Sequence, residues 1–82
     1  MARVRLFASV REAAERSDDE LHAANLKELV AEATKRYGSE FEMALGYCRI
    51  AVNGVVVNLE RASETELVDD DEVAFLPPVS GG

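Results

Sequence analysis

The stretch that most constrains this chain is residues 25–38, its main run of helical periodicity. Leu26, Leu29, Val30, Ala33 and Tyr37 recur at three- and four-residue spacing and form an apolar stripe on one side of a helix. Asn25 stands where an N-cap belongs, Glu28 follows three residues on, and Gly38 is a natural C′ stop. Such a stripe must be buried against a second layer. Most of what remains reads as short alternating strands, so the expected architecture is one main helix laid across a sheet.

The strands can be placed in order. Residues 3–8 alternate, with Val4, Leu6 and Ala8 on one side and Arg3, Arg5 and Phe7 on the other. Ser9-Val10-Arg11-Glu12 has the form of a capping box and predicts a short helix to about Arg16, with Val10, Ala13 and Ala14 inward. Ser17-Asp18-Asp19 reads as a polar turn, and residues 20–24 as a second strand with Leu21 and Ala23 facing the core. Ser39 and Glu42 repeat the capping spacing ahead of a short helix ending near Gly46, whose Phe41, Ala44 and Leu45 would cover one end of the core. Residues 47–52 alternate with Cys48, Ile50 and Val52 on one side.

Asn53-Gly54 is a strong hairpin signal. Val55 and Val57 then return to the core side and Val56 faces out. Residues 58–66 form a loop or short turn anchoring Leu67, Asp69-Asp70-Asp71 a tight acidic turn, and residues 72–76 the last strand, with Val73 and Phe75 inward. The first and last strands carry the densest alternation and should lie side by side at the sheet centre. The expected class is α+β: a mixed sheet with the main helix across one face, one domain over residues 1–76, and a tail over residues 77–82.

Composition closes off several functions. The chain has 82 residues, with 16 acidic against 9 basic side chains and a net charge of −7. A nucleic-acid binder needs a basic footprint, so that class is excluded, and the charge favours a basic partner surface. One cysteine, Cys48, cannot make an internal disulfide, and with only His22 beside it cannot build a metal site. A reducing, cytoplasmic setting fits. The opening Met1-Ala2-Arg3 leads into an alternating run rather than a signal peptide, and no segment has transmembrane length.

A lone histidine rules out a Ser-His-Asp arrangement, and no glycine-rich phosphate loop is present. The acids at 69–72 lack calcium-loop spacing and read as a solvated turn. Cys48 reads as a structural thiol, and His22 as an exposed residue without a role.

Two features remain. The sequence ends Pro77-Pro78-Val79-Ser80-Gly81-Gly82. The prolines fix φ and hold the start of the tail extended, while no Cβ lies beyond Ser80. Six extended residues reach about 20 Å. A frayed terminus is the plain reading, and a free carboxylate delivered into a narrow pocket of another protein is the functional one. Secondly, Phe7, Val56, Ala74 and Leu76 all fall on faces opposite the core residues of their strands. With Ala51 they are expected to form an apolar patch that docks a partner, and Arg11 lies close enough in sequence to add a polar contact.

These residues together resemble a known family. Val4-Arg5-Leu6-Phe7-Ala8-Ser9-Val10-Arg11-Glu12, the Val52-Asn53-Gly54 turn and the block from Leu67 to Gly82 are similar to the small subunit of molybdopterin synthase, the MoaD-like branch of the ubiquitin-like β-grasp sulfur carriers. The resemblance spans essentially the whole chain. Asp70 departs from it where the family usually has Gly, and Leu76 where it often has Phe.

The resemblance implies a non-catalytic carrier that binds no cofactor of its own. An activating enzyme similar to the ubiquitin E1 adenylates the Gly82 carboxylate with ATP, and sulfur displaces the adenylate to leave a terminal thiocarboxylate. The large synthase subunit, which supplies the catalytic residues, then receives the tail in a heterotetramer, and sulfur passes to cyclic pyranopterin monophosphate. Gly82 is then the covalent site, Gly81 gives clearance, and Pro77, Pro78, Val79 and Ser80 position the end. The alternatives are a carrier for thiamin thiazole or cysteine synthesis, a ubiquitin-like modifier joined to target lysines, and a plain interaction domain.

Overall fold

Over residues 1–76, the part of the chain that the computed structural model describes, the elements run β1 (Ala2–Leu6), α1 (Ala8–Ala14), β2 (Asp18–Leu21), α2 (Leu26–Tyr37), α3 (Ser39–Leu45), β3 (Arg49–Val52), β4 (Val55–Val57), a 3₁₀ helix (Leu59–Glu64) and β5 (Glu72–Leu76). The readings placed on Pro77 to Gly82, and with them the division into domain and tail, lie outside the described residues.

The strands form one mixed sheet in the order β2-β1-β5-β3-β4. β1 and β5 are central neighbours and run parallel, with Val4 opposite Val73 and Leu6 opposite Phe75. The remaining neighbours are antiparallel. Parallel neighbours need a crossover. Here nearly the whole chain makes that crossover and carries α2 over one face of the sheet.

The main helix forms as its periodicity requires. The Asn25 side chain accepts the Glu28 backbone N–H at 2.9 Å, and Gly38, at φ +96°, closes the far end with its N–H donated to the Thr34 carbonyl. Leu26, Leu29 and Ala33 are fully buried beneath it against Val4, Leu6, Ile50, Val73 and Phe75. Phe41 of α3 closes one end of this core, edge-on to Phe75 with ring centroids 5.5 Å apart and to Tyr37 at 5.1 Å. Each large apolar side chain buried in this way contributes about 1.5–3 kcal/mol.

Asn53 and Gly54 take φ +50° and +85°, the two-residue turn that matches the twist of a hairpin. Asn53 also ties the hairpin to β5. Its Nδ2 donates to Asp71 Oδ1, its Oδ1 accepts from the Glu72 N–H, and its own N–H donates to the Glu72 carbonyl. The acidic turn forms with Asp70 at φ +78°, and Asp71 Oδ2 accepts the Val68 N–H at 2.8 Å.

Several local expectations change. The Ser9 capping box does not form. Phe7 stays in extended backbone and is the N-cap without a side-chain bond, the chain turns sharply at Ala8 with φ +51°, and Ser9 is already inside α1. The Ser39 signal fails similarly, because α3 follows directly on Gly38 and places Ser39 in its first turn. β2 begins at Asp18, not Glu20, and a carboxylate, Asp19, takes the place expected of a turn. Val55 sits at the hairpin tip and is 66% exposed rather than core-facing. Cys48 precedes β3 instead of lying within it.

Candidate functional site

The sheet face opposite α2 carries the predicted docking residues, and register shows which of them meet. Arg5 lies opposite Ala74, Ala74 opposite Ala51, and Ala51 opposite Val56. That row crosses four strands. One step toward the end of β5, Leu76 lies opposite Arg49. Continuing the parallel register one residue past the Leu6–Phe75 pair sets Phe7 beside Leu76. Phe7 keeps extended backbone at that point, and the Arg5 guanidinium lies 5.6 Å from its ring centroid.

Phe7, Ala74 and Leu76 are half-buried and Val56 is exposed. They make a shallow apolar surface. Ala51 shares the face but is only 4% exposed, so it supports the surface without presenting itself. Arg11 is exposed on α1, one turn beyond Phe7, with its backbone N–H donated to the Phe7 carbonyl. It borders the patch from the helix side and is not on the sheet.

Arg5 and Arg49 were not singled out from the sequence. The alternation that turned Phe7 outward also turned Arg5 outward, and Arg49 precedes the inward Ile50 by one residue. Both arginines therefore flank the apolar residues on this face. Arg5 additionally approaches Glu72 at 3.9 Å, a surface pair of small energetic weight.

Other charged groups serve the fold. Asp19 Oδ2 accepts from the Tyr37 hydroxyl at 2.7 Å, Arg16 at 2.9 Å and Arg36 at 3.3 Å, while Oδ1 accepts the Glu20 N–H at 2.8 Å. Burial alone would raise the Asp19 pKa, but the bonds from Tyr37, Glu20, Arg36 and Arg16 outweigh it and hold it at about 2. Tyr37 is pushed up by burial and by the same carboxylate.

In the acidic turn, the Val68 N–H and then Asn53 lower the Asp71 pKa, and the Met1 ammonium lowers that of Asp69. Burial pushes the Cys48 thiol up, and its Sγ donates to the Leu45 carbonyl at 3.3 Å. Among the described residues no three His, Cys, Asp or Glu side chains are grouped to hold a metal ion. No helix there is long and apolar enough to cross a membrane. The chemistry this arrangement offers is recognition: an apolar face with arginines at its rim, ending where residue 77 begins.

Comparison with known proteins agrees with this geometry. The model of the ThiS family matches residues 4–82. Among solved structures, small archaeal modifier protein 1 from Methanosarcina acetivorans is 29% identical with a TM-score of 0.83, covering 99% of this chain and 95% of its own. A chain of the complex of subunits 1 and 2 of molybdopterin-converting factor from Helicobacter pylori is 31% identical with a TM-score of 0.73, covering 99% of this chain and 97% of its own. CysO from Mycobacterium tuberculosis shares the fold at 18% identity, with a TM-score of 0.80 over 96% of this chain and 100% of its own. No individually curated protein matches the chain.

Proposed function

The chain belongs to the ThiS family of ubiquitin-like β-grasp proteins, and we propose that it is a sulfur carrier for molybdopterin synthesis, working as the small subunit of molybdopterin synthase. The observation that carries this reading is that the apolar row on the sheet face ends at Leu76, where β5 finishes and the last six residues begin. Leu76 ends the strand beside Phe7, and Pro77 follows. A partner that covers this face is brought within about 20 Å of whatever the six residues beyond it present. The 31% identity to a molybdopterin-converting factor chain over nearly the full length supports the choice of branch.

The chemistry then falls on Gly82. Its carboxylate attacks the α-phosphorus of ATP on an E1-like enzyme, and pyrophosphate leaves. A sulfide-equivalent nucleophile displaces AMP and gives the thiocarboxylate. On the large synthase subunit the thiocarboxylate sulfur attacks an oxygen-bearing side-chain carbon of cyclic pyranopterin monophosphate. A carbon–sulfur bond forms, the carbon–oxygen bond at that carbon breaks, and the oxygen leaves as water. Water then cleaves the acyl–sulfur bond, which leaves sulfur on the pterin and returns the Gly82 carboxylate. The folded domain acts before and after these steps by docking, through Phe7, Val56, Ala74 and Leu76, with Arg11 at the border.

Coexpression with the activating enzyme and intact-mass measurement tests this. A species with one oxygen replaced by sulfur is expected, and its absence under every sulfur supply would sink the carrier reading. A stable complex with the large synthase subunit, and none with thiazole-pathway proteins, is expected for the molybdopterin branch. The likeness to a small archaeal modifier protein favours a second reading, conjugation of Gly82 to lysines of target proteins. Isopeptide-linked adducts in lysate, without a thiocarboxylate species, are its signature.

A further inference from the structure

Two of the most exposed large apolar side chains are neighbours, and the docking row does not include them. Met43 is 74% exposed and Tyr47 76% exposed. The helical turn continues past α3, with the Gly46 N–H donated to the Met43 carbonyl and the Tyr47 N–H to the Ala44 carbonyl. Met43 and Tyr47 therefore bracket the tight turn that ends α3, and both are exposed there. Phe41, Ala44 and Leu45 face the core from the other side of α3, so these two point away from it.

Their place in the molecule gives them a partner. Tyr47 stands two residues before Arg49, which lies opposite Leu76. Two residues span at most about 7 Å of extended chain. Phe41 of the same helix packs against Phe75, the residue before Leu76. The pair therefore lies at the end of the sheet where β5 finishes, the same end as Leu76 and Arg49. A protein that encloses the tail must approach this end of the domain.

We propose that Met43 and Tyr47 form a second apolar anchor for the protein that receives the tail, so that the interface wraps from the sheet face around the tail root onto α3. The occupant is an apolar shelf beside the partner's tail pocket, on the large synthase subunit, and this rests on the function proposed above. Methionine and tyrosine suit the role. Both give large contact area at an interface, and neither is held in place here by the core.

The test measures binding of the full chain to the large subunit of molybdopterin synthase. The double variant Met43→Ser, Tyr47→Ser is compared with Phe7→Asp and with Val68→Ser. Val68 is 67% exposed but sits beside the Asp71 turn, at the opposite end of β5 from the tail. The double variant is expected to weaken binding by about thirtyfold with its thermal midpoint unchanged, as for a hot-spot cluster. Val68→Ser is expected to bind as the wild type does. If the double variant also binds as wild type while Phe7→Asp is weakened, the second anchor is wrong and the docking face stands. If Val68→Ser loses as much as the double variant, the effect belongs to general surface apolarity and the anchor is wrong. If the wild type does not bind this subunit, the proposed function and the anchor fall together.

Discussion

Asp19→Asn removes one charge from the carboxylate on which Tyr37, Arg16 and Arg36 converge, and it nearly preserves shape. Held at about 2 instead of 3.8, the carboxylate has a shift that corresponds to about 2.5 kcal/mol at about 1.4 kcal/mol per unit. The Arg16 and Arg36 side chains are 47% and 46% exposed, so water screens part of this. About 1–1.5 kcal/mol is the expected contribution at neutral pH. The substituted amide keeps an oxygen for Tyr37 or the Glu20 N–H but offers no charge to either guanidinium. In a domain of this size the thermal midpoint is expected to fall by about 5–10 °C.

The pH dependence gives the sharper test. A carboxylate whose folded pKa is depressed stabilises the fold fully above its unfolded value, and that stabilisation is lost as pH falls through the folded value. The gap between wild type and Asp19→Asn is therefore expected to be complete at pH 7 and to close as pH falls from about 4 to 2. Urea unfolding followed by far-UV circular dichroism measures it, since the chain has no tryptophan. Other carboxylates titrate equally in both proteins and cancel in the difference. Equal midpoints at pH 7, or a gap that does not change with pH, would refute the electrostatic account of β2.

Four further outcomes are expected. Asn53→Ala loses both clamps on the β5 turn and must hold φ +50° without an Asn side chain; a loss of about 2 kcal/mol is expected in urea unfolding. Asp70→Gly relieves a non-glycine residue at φ +78° and is expected to raise stability by about 0.5 kcal/mol in the same assay. Phe7→Asp is expected to weaken binding to the large synthase subunit at least about tenfold while the thermal midpoint holds; unfolding instead would show that the ring belongs to the core. One residue appended after Gly82 is expected to abolish thiocarboxylate formation by intact mass with an unchanged circular dichroism spectrum, and full loading would refute the role of the free carboxylate.

The long helix, the Asn53-Gly54 hairpin and the central pairing of β1 with β5 were legible because each rests on a local rule: periodicity, a positive-φ turn, dense alternation. β2 was not. Asp18 and Asp19 are poor strand residues alone, yet they pair with Arg5 and Val4 of β1, and Tyr37, Arg16 and Arg36 reach Asp19 from elsewhere in the chain. Ser9 and Glu12 had the right spacing for a cap, yet the cap lost to Phe7, whose place on the outer face fixes where α1 can begin. The outward placement of Phe7, Val56, Ala74 and Leu76 was legible through alternation alone. The exposure of Met43 and Tyr47 was not legible, because alternation does not describe the turn that ends α3.

The net charge of −7 reads differently once register is known. On the sheet face opposite α2, Arg3 lies between Glu20 and Glu72, Arg5 lies opposite Asp18, and Arg49 lies opposite Leu76. Three arginines there balance Asp18, Glu20 and Glu72, so the face is neutral and the whole excess of acid lies on other surfaces. Those charges act at a distance, and salt screens them beyond about 10 Å. A partner in contact meets apolar side chains bordered by guanidinium groups. Salt should therefore alter how fast the complex forms, whereas substitutions at Phe7 or Leu76 should alter how long it lasts. On this reading the overall charge bears on approach, while the contact itself asks for apolar surface with acceptors at its edge.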